Sequence, residues 1–315
     1  MIDNGVYPEG YEHPDGHTQP EPANLDAVHG RLLAPRASLS PSQFTDDDFR
    51  AFKQENARAS GETTSLQKVF PFIAGNETNH RFEADTPLNN LEPIDKCLGD
   101  PKPDRYYGAA PSAIDTKVLH DLAPYIIPST NTSRPAAPNF FLEAKSPSGL
   151  PFVAKNQALY NGVVGARAMH KLQNYGANEA TVVYDNNAYS FSTTYQAGPG
   201  LLVIYATHPT QSAVPGRTEY HMTQVKAYAL TSDRETFVQG VTSYRNIRDL
   251  AKENRDAFID HANQMARRAP ADSPSTAFTN STSSSALQEE HSETSADELA
   301  LQQTVVKRPR RAHER

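Results

Sequence analysis

The sequence predicts an α/β (α+β) fold, a central mixed β-sheet flanked by helices, and three features between residues 139 and 207 carry that expectation. The apolar run 139–146, NFFLEAKS, reads as a buried strand. Residues 154–175 read as a helix whose Leu159, Val163, Val164, Met169 and Leu172 wrap most of its circumference, so it should be buried, with Gly162 and Gly165 allowing close approach to a sheet. Three strand-like stretches follow at 180–184, 188–195 and 201–207, separated by Asp185-Asn186-Asn187 and Gly198-Pro199-Gly200. A helix followed by consecutive strands fits a mixed sheet better than a repeated βαβ array.

The remaining elements follow in chain order. Residues 1–43 are rich in Pro, Gly, His and acids without periodicity, and are expected to be disordered or loosely attached. Order is expected from Thr45, which can cap a helix opening on Asp46, Asp47 and Asp48 and carrying Phe49 and Phe52. A second helical segment runs from Glu62 through Leu66, Val69 and Phe70 to Ile73 and stops at Gly75. Residues 76–104 read as loop, Tyr106 and Tyr107 as a short strand, and 115–123 as a helix with an acid in its first turn. Tyr125, Ile126 and Ile127 lead into a Ser/Thr/Pro loop ending at Pro138. Residues 220–230 fit a strand or a helix equally well, whereas 233–267 form a long amphipathic helix with Phe237, Val241, Tyr244, Ile247, Leu250, Ala251 and Phe258 on one side. Beyond Ala269 the composition shifts to Ser, Thr, Ala and acids. The expected organisation is a segment 1–43, one domain 44–268, and a disordered tail 269–315.

Composition narrows the function classes. The 315-residue chain has 24 Pro, no Trp and a formal net charge of −7, which argues against a protein that grips nucleic acid with a broad basic surface but leaves room for a local basic groove. The single Cys97 excludes an internal disulfide and a cysteine-based zinc cluster, and a reducing, intracellular compartment is expected. No apolar run approaches membrane-spanning length, and the N-terminus lacks the basic start and apolar core of a signal peptide. Lys307, Arg308, Arg310 and Arg311 form a basic end that is a candidate nuclear address or an electrostatic contact for a protein or nucleic-acid partner.

The chemistry is expected in the 139–146 strand. A two-residue period puts Phe141, Glu143 and Lys145 on one face, with Phe140, Leu142 and Ala144 on the other. An acid and an amine in so apolar a strand are costly to bury unless matched to each other, a metal or a substrate. The same acid-x-Lys spacing occurs at Asp100-Pro101-Lys102, which has a proline at its centre, and at Asp115-Thr116-Lys117, which opens a helix. Only Glu143-Ala144-Lys145 lies in a strand, followed by the Ser146-Pro147-Ser148-Gly149 turn and a long helix. The alternative is a strand-end ion pair without chemistry. His120, His170, His208 and His221 lack metal-ligand spacing. Ser146 and Ser148 lack a nucleophile elbow, and Tyr189, Tyr195 and Tyr205 read as strand packing.

An upstream helix, Lys102-Pro103-Asp104 before a short strand, a strand ending in Glu143-Ala144-Lys145, and then a buried helix together resemble the core of the restriction-endonuclease-like PD-(D/E)XK superfamily. KPDRYYGAAP, IIPST, PNFFLEAKSPSG, QALYNGVVGARAMHKLQ and YATHPT resemble a family of uncharacterised fungal proteins across residues 40–265. The superfamily resemblance implies a Mg²⁺-dependent phosphodiesterase acting on nucleic acid. Asp104 and Glu143 would be metal ligands, joined by the main-chain carbonyl of Ala144, and Lys145 would stabilise the attacked phosphate. Gln157 resembles the glutamine some members place near the metal, and Tyr160 follows it one residue short of the usual spacing. Glu62, with Glu55 as the alternative, would supply the acid of the first helix. The insertion of nearly forty residues between Asp104 and Glu143 must loop out for the two to meet. A catalytically inactive binding module of the same fold, and a regulatory interaction protein using its tails, are the alternatives.

Overall fold

The computed structural model describes residues 1–268 apart from 96, 179 and 180; the expected tail 269–315, including its basic end, lies outside the described residues. A mixed seven-stranded sheet organises the chain, in the order β1-β7-β6-β5-β4-β3-β2. Its strands are β1 (Val6–Tyr7), β2 (Arg81–Ala84), β3 (Arg105–Ala109), β4 (Ala136–Lys145), β5 (Ser190–Gln196), β6 (Leu201–Gln211) and β7 (Thr218–Ala229). The β4/β5 and β1/β7 pairs are parallel and the others antiparallel. Parallel neighbours need a crossover, and the 23-residue helix α7 (Pro151–Gln173) supplies it between β4 and β5.

Two layers of helix cover the sheet, and the alternation within β4 divides them. Phe140 and Leu142 join Phe191, Ile204, Val241, Tyr244 and Ile247 in the largest apolar cluster, beneath the 35-residue α8 (Arg234–Arg268). Phe141 points the other way and meets Val164 of α7. The expected glycines do what close approach requires. A methyl group at Gly165 would collide with Ser190 Oγ and Phe141, and one at Gly162 with Thr207 Oγ1.

The first expected helix forms as α2 (Asp46–Arg58), closed by a reciprocal cap in which Asp48 N–H donates to Thr45 Oγ1 at 3.3 Å and Thr45 N–H to Asp48 Oδ2 at 2.7 Å. The second is α3 (Glu62–Thr64) and α4 (Phe70–Ala74), joined by a π-helical stretch, Ser65–Val69, and ended by Gly75 at φ 63°. Between β3 and β4 the chain forms α5 (Thr116–Asp121) and α6 (Ala123–Ile126). The undecided 220–230 stretch is strand β7.

The structure differs from expectation in three places. Residues 1–43 are packed rather than loose: Val6, Val28, Leu32 and Leu39 are buried, β1 pairs with β7, and α1 (Leu25–Leu32) lies on α8. Asn24 brackets the main chain of Ala188, donating to its carbonyl at 3.0 Å and accepting from its N–H at 2.9 Å. These partners lie more than 160 positions away, so local composition cannot reveal them. Residues 181–184 are not a strand, because Val183 pairs with the Asn174 side chain at the end of α7, donating to its Oδ1 at 2.7 Å, instead of with a neighbouring strand. The 76–104 loop contains the short edge strand β2, whose mostly exposed residues give no alternating signal.

Candidate functional site

Strand register brings the candidate acids together. In the antiparallel β3/β4 pair, Arg105 lies opposite Leu142 and Tyr106 opposite Phe141, so one step further places Asp104 opposite Glu143. The carboxylate of Asp104 fixes that end of the pair by accepting from Ala144 N–H at 2.6 Å. The long insertion loops out as α5 and α6, which pack with α7 and α8 through Val118, Ile126, Met169, Leu172 and Ile259. It leaves β3 and β4 as direct neighbours.

All of β4 is buried, and Glu143 and Lys145 are only 2% and 3% exposed. Glu143 accepts from Asn161 Nδ2 at 2.5 Å. Burial pushes its carboxyl well above the usual range, and the neighbouring Asp104 pushes it further, with Lys145 and Asn161 opposing. Burial also raises Asp104 to about 6, against the Ala144 hydrogen bond and Lys145. The two carboxyls therefore form a coupled pair that resists carrying two negative charges with one ammonium beside them.

Lys145 Nζ donates to Glu62 Oε1 at 3.2 Å. Glu62 is thus the first-helix acid that reaches the strand, whereas Glu55 pairs with Arg58 on α2 at 3.2 Å. Gln157 and Asn161 are four residues apart and share a face of α7. Gln157 Oε1 is buried without a hydrogen-bond partner among the described residues. Tyr160 packs against the cluster of Leu88, Leu91, Tyr106, Phe141 and Val164. Asn161 escaped the sequence reading. Its available signal was a polar residue four positions after Gln157 inside an otherwise buried helical run.

The two carboxyls are hard-oxygen donors of the kind suited to Mg²⁺, and Gln157 lies one helical turn before Asn161, which contacts Glu143. Among the described residues no three His, Cys, Asp or Glu side chains form a cluster able to hold a metal by themselves. A Mg²⁺ ion here would rely on Asp104, Glu143, Gln157 and several retained waters. Among the described residues the Gln157 oxygen has no hydrogen-bond donor, so it is free to take part.

The histidines without ligand spacing have a different place. His208 and His221 have ring centroids 5.3 Å apart, and His221 stacks on Tyr7 of β1 at 5.3 Å. Burial lowers both His208 and His221 to about 4.

A family model described as a domain of unknown function, DUF7924, matches residues 51–262. The chain belongs to this family. No curated protein and no solved structure matches the chain. The DUF7924 match contains Glu62, Asp104, Glu143, Lys145, Gln157 and Asn161, whereas β1 and α1, which extend and cover the sheet, precede it.

Proposed function

We propose that this DUF7924 domain is a Mg²⁺-dependent phosphodiesterase acting on nucleic acid, of the restriction-endonuclease-like kind. The observation that carries the proposal is Asp104, just before β3, bonded to Ala144 N–H and in register with Glu143 of β4, with Lys145 on the face of Glu143 and both acids held at raised pKa. A structural ion pair needs one acid for one amine. Here Lys145 is paired with Glu62, while Asp104 and Glu143 oppose each other's ionisation, and a divalent cation would lower the cost of charging both.

Bound Mg²⁺ would supply Lewis-acid charge and a water of lowered pKa. Asp104 and Glu143 hold the hard-oxygen side of the site, with Asn161 fixing the Glu143 carboxylate. Lys145, oriented by Glu62, offsets charge on the non-bridging phosphate oxygens. In the reaction a water oxygen bonds to phosphorus, the bond from phosphorus to the leaving sugar oxygen breaks, and that oxygen takes up a proton. The basic end at Lys307, Arg308, Arg310 and Arg311 is the proposed nuclear address.

The test is thermal unfolding of wild type and Glu143→Gln during Mg²⁺ and Mn²⁺ titration, followed by cleavage assays on DNA and RNA. Metal stabilisation that is lost in Glu143→Gln, with cleavage lost in Lys145→Met, is expected. Superimposable melting curves with and without metal would remove the metal site. Metal-dependent stabilisation without cleavage of either nucleic acid would instead indicate an inactive binding module.

A further inference from the structure

A second polar site lies at the C-terminal end of α4, where the chain passes through Gly75 into the 76–80 loop against α8. A cavity of about 440 Å³ opens there, lined by Arg36, His80, Arg245, Arg248, Asp249 and Lys252 among others. On a chain of net charge −7 this concentration of cations stands out.

The local charges do not cancel. Arg36 pairs with Asp249 at 2.6 Å, and His80 contacts the same carboxylate at 3.0 Å. Arg105 and Arg248 share Glu77, at 2.6 and 3.1 Å. Arg245 forms no ion pair among the described residues. Of the cavity's own lining, the guanidinium groups of Arg36, Arg245 and Arg248 face the one carboxylate of Asp249, and Glu77 behind it is offset by Arg105, an excess of two positive charges before His80 is counted. Lys252 and Glu253 at the rim are paired with Asp256 and Arg31 and leave this balance unchanged.

Part of the excess answers the end of α4. Arg245 donates to the carbonyls of Ile73 and Phe72, both at 2.9 Å, and Arg248 to that of Ala74 at 3.0 Å. A helix end carries only about half a negative charge, and less in so short a helix, so it leaves most of the excess standing. One further observation points to a ligand. Arg248 is 2% exposed, lines the cavity, and has a buried Nε–H without a hydrogen-bond acceptor; the nearest carboxylate oxygen, Asp249 Oδ1, is 4.0 Å away. Arg245 is held so close to Gly75 that any Cβ there would strike its guanidinium, so the backbone is shaped around the cation. Burial, with repulsion from Arg248 and Arg36 added, lowers Arg245 to about 10.

We propose that this cavity binds the phosphomonoester group of a phosphorylated ligand. Two excess charges match a phosphomonoester, which carries about −1.5 to −2 at neutral pH, better than a carboxylate or a phosphodiester, each of which carries one. Arginine is suited to paired contacts with phosphate oxygens. The cavity is larger than phosphate alone and accommodates part of an attached group. The group has two sources, a free nucleotide or the phosphorylated end of a nucleic acid. The site uses none of Asp104, Glu143 and Lys145, so it stands or falls separately from the phosphodiesterase proposal.

The experiment uses the full chain in EDTA, so that no divalent metal contributes. Phosphorus-31 NMR and thermal shift follow inorganic phosphate and adenosine 5′-monophosphate, with adenosine and chloride at matched ionic strength as controls. Saturable line broadening with phosphate and the monophosphate is expected, together with a thermal shift that adenosine and chloride do not produce. Arg245→Gln should raise the apparent Kd roughly tenfold or more, as for loss of a charge-assisted contact, while Glu143→Gln should leave it unchanged. Because Arg245 also caps α4, Lys252→Glu at the rim is the second variant, and its added negative charge should weaken phosphate binding without removing the cap. Competition by a 5′-phosphorylated oligonucleotide but not its unphosphorylated counterpart would identify a nucleic-acid end. Competition by the mononucleotide alone would identify a free nucleotide. No saturable broadening, or equal broadening in wild type, Arg245→Gln and Lys252→Glu, would overturn the proposal.

Discussion

Asp104→Asn should make the metal-free protein more stable at neutral pH, because the wild-type carboxylate is held where its charge is unwelcome. Burial lifts its pKa from 3.8 to about 6. Each unit corresponds to about 1.4 kcal/mol, so ionised Asp104 destabilises the fold by up to about 3 kcal/mol at pH 7, an upper bound because solvent and the coupled Glu143 share the effect. Asparagine retains an oxygen to accept the Ala144 N–H bond, so the variant removes charge while preserving the strand contact. For a domain of this size the gain is roughly 5–10 °C in Tm at most.

The sign of the pH dependence follows from the same shift. Between pH 6 and 3.8 the native state binds the proton that the unfolded state has lost, so acidification strengthens the wild type across that window. The variant's advantage should therefore be full at pH 7, shrink below pH 6 and disappear near pH 3.8. Measuring the difference matters because His208 and His221, lowered to about 4, act oppositely. Their stabilising neutral state is complete above pH 6.5 and is lost as pH falls toward 4, in both proteins alike. Thermal melts of both proteins in EDTA from pH 4 to 7 provide the assay. A less stable Asp104→Asn at pH 7, or a constant difference across that range, would refute the reasoning.

Other expectations follow from the packing. Gly165→Ala should cost about 1–3 kcal/mol by forcing a methyl group against Ser190 and Phe141, read as a lower urea midpoint with an unchanged slope. Deleting residues 1–24 should lower the Tm and produce higher-order species in size-exclusion chromatography, because it strips β1 from the β7 edge. His208→Leu should keep or raise stability at pH 7, since both ring nitrogens are buried without partners, and should reduce acid-induced loss between pH 6.5 and 4.

What the sequence disclosed depended on how local each cause was. The acid-x-Lys strand was legible because alternation fixes which side chains share a face, and Asp104 because a Pro-Asp preceded the Tyr106-Tyr107 strand. The position of Glu62 along the chain held no hint of its contact with Lys145, which only the fold brings about. Asn161 was missed because one polar residue in an apolar helix has no meaning until the strand beneath it is known. The packing of residues 1–43 and the meeting of Arg36 with Arg245 and Arg248 arise from chain segments far apart in sequence, so neither composition nor spacing could expose them.

The same packing that builds the sheet also creates the candidate chemistry. Gly162 and Gly165 let α7 settle onto β4, β5 and β6 at a distance that larger residues would prevent. That approach buries Glu143, places Asn161 where it can donate to the carboxylate, and leaves the Gln157 oxygen without a partner. Burial, in turn, is the leading cause of the raised carboxyl pKa values, ahead of the charge of any single neighbour. A helix held farther out would give a more hydrated strand end, an ordinary Glu143–Lys145 ion pair and little reason to attract a divalent cation. The small residues of α7 therefore matter to the proposed site even though none of them would touch a substrate.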